Sequence, residues 1–183
     1  MDIHRTGGPG YETKFCHFKG GIGLQGNGEI AGYASLFGAA DQSGDVVQKG
    51  AYLGSLERLK AGGGKVKMLW QHDPAQPIGV WETVFEDSKG LCVKGRILTE
   101  VQAGREALAL LKAGAIDGLS IGYRTLRSEK SGGGRLLHEI ELWEVSLVTF
   151  PMLSGARVAP SEDETALAAS LAETFRQARD LLA

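Results

Sequence analysis

Glycine cuts this chain into short apolar segments, and no other feature restricts its fold as strongly. It supplies 27 of the 183 residues, about double the usual share of roughly 7%. The glycines follow no fixed period. They separate runs that are rich in β-branched, aromatic or leucine residues and mostly too short for long helices. A β-rich domain with many tight turns is the expected result. Strands are predicted over residues 15–18, 29–37, 65–72, 78–86 and 91–98. Two more are predicted over 115–126 and 135–150, on either side of a hairpin turn at Ser131-Gly132-Gly133-Gly134.

Two helices interrupt the strands. The first, over 51–61, stops at Gly62, Gly63 and Gly64. The second, over 101–113, has Thr99 and Gln102 at capping-box spacing, an apolar stripe of Ala107, Leu108 and Leu111, and Gly114 as its C-cap. Both suit a cover over a sheet or barrel. Residues 1–13, with Gly7, Gly8, Pro9 and Gly10 in succession, have little to bury and are expected to be mobile. The folded domain is expected over 14–160. Beyond it, Ser161 and Glu164 have capping-box spacing ahead of Leu167, Leu171, Phe175, Ala178 and Leu182. An amphipathic helix over 161–183 would pack on its own domain or serve in docking or self-association.

Charge narrows the function. Twenty Lys and Arg against 22 Asp and Glu leave a net charge of −2, without the basic surplus that holds a nucleic-acid backbone. No stretch approaches the roughly 18 apolar residues of a membrane span, and the first twenty residues lack a leader's apolar run. The two cysteines, Cys16 and Cys92, lie far apart and suggest neither a disulfide framework nor a zinc site. A protein of the reducing cytoplasm, without cofactor or metal, is expected.

Three segments could carry chemistry. In Met68-Leu69-Trp70-Gln71-His72-Asp73-Pro74 an apolar strand ends in a histidine before a turn-forming Asp-Pro, and imidazole can accept a proton near neutral pH. In Leu119-Ser120-Ile121-Gly122-Tyr123 a serine sits in an apolar strand, with Gly122 on its own face leaving room for a substrate backbone. A structural role satisfies either residue taken alone. In the third segment, 139–148, acidic residues interrupt an apolar strand, and Glu144, between Trp143 and Val145, is the one expected to be buried. A buried carboxylate needs a partner, and a histidine would serve. His138 shares the strand parity of Glu144 and rivals it as the group that orients a base, while Ser146 is a rival nucleophile.

Taken in order, Gly32-Tyr33-Ala34-Ser35-Leu36-Phe37, Asp41 to Asp45 with Gly50-Ala51-Tyr52, Leu69-Trp70-Gln71-His72-Asp73, Pro77-Ile78-Gly79, Gly90-Leu91, Leu119-Ser120-Ile121-Gly122-Tyr123 and Glu144-Val145-Ser146-Leu147-Val148 with Pro151 resemble the prohead maturation proteases of tailed phages. The likeness spans residues 28–158. It implies an α+β fold like that of herpesvirus assemblin, a closed or nearly closed antiparallel β-barrel of about seven strands surrounded by helices. It implies a serine endopeptidase with Ser120 as nucleophile and His72 as base. Glu144 would be the third member, or His138 instead, since assemblin uses a second histidine. The implied substrates are the scaffold or delta segment of the major capsid protein and the protease itself, cut inside an assembling prohead in the host cytoplasm.

Arg124, two residues beyond Gly122, is a candidate support for an oxyanion. The loop Asp41-Gln42-Ser43-Gly44-Asp45 faintly resembles a calcium loop but lacks its closing glutamate, so a turn fixed by Asp side chains is expected. Two rival functions keep the same elements. One is a non-catalytic assembly scaffold, which needs neither His72 nor Ser120; the other is a metal-dependent hydrolase using His72 with Asp41 and Asp45.

Overall fold

The computed structural model describes residues 12–16 and 28–151, together with 153, 155, 156, 158, 170–176 and 179. The strands are β1 (Glu12–Cys16), β2 (Glu29–Leu36), β3 (Val46–Val47), β4 (Lys67–Trp70), β5 (Asp73–Glu86), β6 (Gly90–Ile97), β7 (Gly118–Ser131) and β8 (Gly134–Val148). Helix α1 (Leu53–Ala61) precedes β4 and α2 (Gln102–Lys112) precedes β7. All the strands belong to one sheet of order β1-β7-β8-β4-β5-β6-β2, with the two residues of β3 alongside β8.

The antiparallel expectation needs correcting, because the sheet is mixed. Hairpins join β4 to β5, β5 to β6 and β7 to β8 in antiparallel pairs, but β3 and β4 run parallel to β8. A hairpin reverses the chain, whereas β4 reaches β8 by a long excursion that leaves its direction free. The seven-strand barrel is not closed by hydrogen bonds among the described residues. The end strands β1 and β2 come within 8 Å of each other between Cα atoms, as do β2 and β7, and no ladder joins them. The architecture is α+β, a curled half-barrel sheet with helices against it.

The concave core gathers Met68 of β4, Ile78 and Trp81 of β5, Ile97 of β6, and Leu119, Ile121 and Tyr123 of β7, all buried. Helix α2 adds Ala107, Leu108 and Leu111, the predicted stripe. Its predicted capping box does not form. The N-cap is Val101, so Thr99 stands two residues too early, and its carbonyl instead accepts a bond from Arg105 Nη1 at 2.9 Å. Gly114 follows the C-cap Ala113 with φ +68°, a left-handed conformation that glycine adopts without strain. The hairpin turn between β7 and β8 lies at Gly132 and Gly133, as predicted.

Close packing of α2 on the sheet yields a prediction. A Cβ on Gly104 would fall 2.1 Å from the carbonyl oxygen of Leu98 and 3.0 Å from that of Ile78. Alanine favours a helix interior over glycine by about 1 kcal/mol, but overpacking against fixed backbone costs about 1–3 kcal/mol or more. Gly104→Ala is therefore expected to lower the melting temperature by several degrees, and an unchanged or higher melting point in a thermal scan would contradict it.

Residues 170–176 are helical and exposed, Leu171 and Phe175 among them. Leu167, Ala178 and Leu182 of the predicted tail helix and the N-terminal stretch before Glu12 lie outside the described residues. No helix among the described residues is long and apolar enough to cross a membrane.

Candidate active site

Strand β8 is the axis of the site. On one edge it pairs with β7, which sets Ser120 opposite Ser146 and Gly122 opposite Glu144. On its other edge β4 sets Leu69 beside Ser146 and Trp70 beside Leu147. Leu119, Ile121, Val145 and Leu147 point into the core, so Ser120, Glu144 and Ser146 share the opposite face.

A bulge gives Glu144 that orientation. Between Gly122 and Tyr123 the register on β8 jumps from Glu144 to Leu142, leaving Trp143 as an extra residue. Core positions along β8 accordingly run Leu137, Ile140, Leu142, Val145, Leu147, with steps of three residues from Leu137 to Ile140 and, across the Trp143 bulge, from Leu142 to Val145. His138 is the extra residue at a second bulge. The predicted common parity of His138 and Glu144 therefore fails, because His138 is itself a bulge residue and the Trp143 bulge between the two re-aims the side chains that follow.

The loop carrying His72 is tighter than the sequence suggests. Trp70 pairs directly with Asp73, so Gln71 and His72 alone connect β4 to β5. Both have positive φ, +53° and +62°, the pattern of a type I′ hairpin, which favours Asn-Gly or Asp-Gly. For residues with side chains this conformation costs on the order of 1–3 kcal/mol each and persists where the surroundings enforce it. Hydrogen bonds do so here. The Gln71 backbone N–H donates to the Leu147 carbonyl at 2.9 Å, and its side-chain Nε2 donates to Thr149 Oγ1 at 2.7 Å. The His72 backbone N–H donates to Ser146 Oγ at 3.1 Å. Asp73 and Pro74, the predicted turn, instead begin β5.

The turn sets the imidazole between two groups from neighbouring strands. Nε2 is hydrogen-bonded to Ser120 Oγ, and Nδ1 lies 2.6 Å from Glu144 Oε1. The second carboxylate oxygen, Oε2, accepts from the Ser146 hydroxyl at 2.6 Å. The side chains of His72 and Glu144 are 12% and 3% exposed, so water competes little for this bond. A carboxylate at Nδ1 favours the tautomer whose proton is on Nδ1 and whose Nε2 lone pair faces the serine. Ser120 is wholly buried, and β1 runs along the other edge of β7 with Phe15 opposite Ser120.

Other candidates lie elsewhere. His138, six residues before Glu144 and so about 20 Å away along an extended strand, sits 3.4 Å from Glu129 Oε1. Arg124 is half exposed and pairs with Glu141 at 2.8 Å, about 13 Å along β7 from Ser120. Ser146 joins the site, but its hydroxyl is directed at Glu144 while His72 Nε2 faces Ser120. Asp41 Oδ1 accepts the backbone N–H groups of Ser43 and Asp45, each at 2.9 Å, which is the expected turn. Asp45 binds the Arg135 guanidinium at 2.7 Å, at the start of β8 and far from His72. The grouping of His72 with Asp41 and Asp45 required by the metal-hydrolase alternative is therefore not formed.

Comparison with known proteins agrees with this fold. The family model described as caudovirus prohead serine protease matches residues 20–170. The prohead protease of Enterobacteria phage HK97 is 32% identical over 152 residues, a match covering 81% of this chain and 64% of that protein. The match thus spans somewhat less than two thirds of the relative's length. The solved structure of the bacteriophage T4 capsid assembly protease superposes with a TM-score of 0.61 at 15% identity, covering 78% of this chain and 98% of the other. At that identity the likeness speaks for the fold.

Proposed function

The chain belongs to the caudovirus prohead serine protease family, and from that premise we propose that it is a capsid-maturation endopeptidase acting through Ser120, His72 and Glu144. One observation carries the reading: the His72 ring is held between the Ser120 hydroxyl and the Glu144 carboxylate.

Acyl transfer follows from that geometry. His72 Nε2 takes the proton from Ser120 Oγ as the oxygen attacks a peptide carbonyl, and Glu144 stabilises the imidazolium that forms. The imidazolium returns its proton to the leaving amine as the C–N bond breaks. Water, deprotonated by the same nitrogen, then cleaves the ester and restores Ser120. With Ser120 buried and β1 along its strand, a substrate enters from the His72 side or in place of β1. In this reading β1, whose Cα atoms come within 8 Å of those of β2, brings the curled sheet close to an assemblin-like barrel.

The substrates are the delta segment or scaffold of the major capsid protein and the protease itself, cut inside the assembling prohead in the host cytoplasm. The exposed tail helix docks the enzyme there or joins copies of it. Co-expression with the neighbouring major capsid gene is expected to give capsid protein shortened at defined bonds, read by mass spectrometry. Capsid protein left at full length in assembled particles would refute the reading.

A further inference from the structure

Ser146 has no part in the acyl transfer above, yet its hydroxyl joins the elements that build the site. The residue is wholly buried on β8. Its Oγ accepts the His72 backbone N–H at 3.1 Å and donates to Glu144 Oε2 at 2.6 Å. Chemistry fixes both directions, since a backbone N–H only donates and an ionised carboxylate only accepts. With the bond from Nδ1 to Glu144 Oε1, these contacts close a ring from the His72 main chain through Ser146 and Glu144 to the His72 imidazole.

We propose that Ser146 is a positioning residue, whose single buried hydroxyl holds the His72 backbone in its left-handed turn and aims the Glu144 carboxylate at Nδ1. This rests on the reading of Ser120 and His72 as nucleophile and base. A serine needing only a hydrogen-bond partner could use any nearby carbonyl. Both partners of Ser146 instead belong to the site, and one of them is the backbone of a residue at φ +62°.

The test is the labelling of Ser120 in the full chain by an alkyl fluorophosphonate, followed by mass spectrometry. In that reaction the Oγ–P bond forms, fluoride leaves and the hydroxyl proton passes to His72, so the rate reports on the pair without a peptide substrate. Ser146→Ala is expected to lower the maximal labelling rate about tenfold to a hundredfold. The half-saturating reagent concentration should not change, because Ser146 does not touch the reagent. Ser146→Thr keeps the hydroxyl and suits a strand, and should recover most of the rate.

A folded Ser146→Ala chain labelled within about twofold of the parent rate, or a loss that Ser146→Thr leaves uncorrected, overturns the proposal. Should Ser146→Ala not fold, Ser146→Cys, close in volume but a weak donor, replaces it in the same comparison. If the parent itself is unlabelled at Ser120, the nucleophile assignment falls and takes this role with it. A labelled parent with an unaffected Ser146→Ala variant removes the positioning role alone.

Discussion

Ser120→Ala is expected to leave the chain folded and the capsid protein uncut, with the turnover rate lowered by about a factor of 10⁶. The size follows from the chemistry, because no acyl-enzyme can form without Oγ and the base then has no proton to take. Stability should change by only about 1 kcal/mol. Alanine fits where serine did, and the His72 ring keeps its bond to Glu144 through Nδ1. Thermal unfolding and mass analysis of co-expressed capsid protein check both halves. A well-folded variant that still processed the capsid protein would place the nucleophile elsewhere, and Ser146, opposite Ser120 in the ladder, would be the next to test.

How far the site could be read from sequence depended on whether its cause was local. Hydrophobic patterning marks the buried face of α2 and makes Ser120 in an apolar strand and Glu144 between Trp143 and Val145 candidates, which the family resemblance then singles out. The His72 turn does not, since Gln-His lacks the Asn-Gly or Asp-Gly signature of its conformation. The decoy beside it, Asp73-Pro74, has a local explanation: Asp73 accepts from the Ala75 N–H at 2.8 Å and from Gln76 Nε2 at 2.7 Å within β5. The bulge at Trp143 leaves no mark in the sequence, because it is a property of two strands paired in a particular register. Strand parity counted along β8 therefore placed His138 with Glu144. The parallel approach of β4 to β8 depends on contacts about 77 residues apart, such as Leu69 with Ser146, and so the role of Ser146 could not be read without it.

The choice between Glu144 and His138 leads to the second large effect. Glu144→Gln is expected to reduce turnover by about 10³–10⁴-fold, whereas His138→Gln should stay within about threefold of the parent. Both carboxylate oxygens of Glu144 accept hydrogen bonds, one from His72 Nδ1 and one from Ser146 Oγ. An amide has only one accepting end. If its NH₂ faces His72, Nδ1 must become an acceptor, the ring proton moves to Nε2, and the base can no longer take the serine proton. If its NH₂ faces Ser146, the tautomer survives, but the imidazolium formed during attack has lost its buried counter-charge. Either orientation costs rate while preserving volume, so the fold should hold. His138 offers nothing comparable, because its Nε2 faces Glu129, whose side chain is 67% exposed, and exposed pairs of this kind contribute about 0–1 kcal/mol. Measured together on the same capsid substrate, the two variants separate the possibilities. Loss of cleavage confined to a folded His138→Gln chain would reverse the assignment and leave the Glu144 carboxylate with only a structural role.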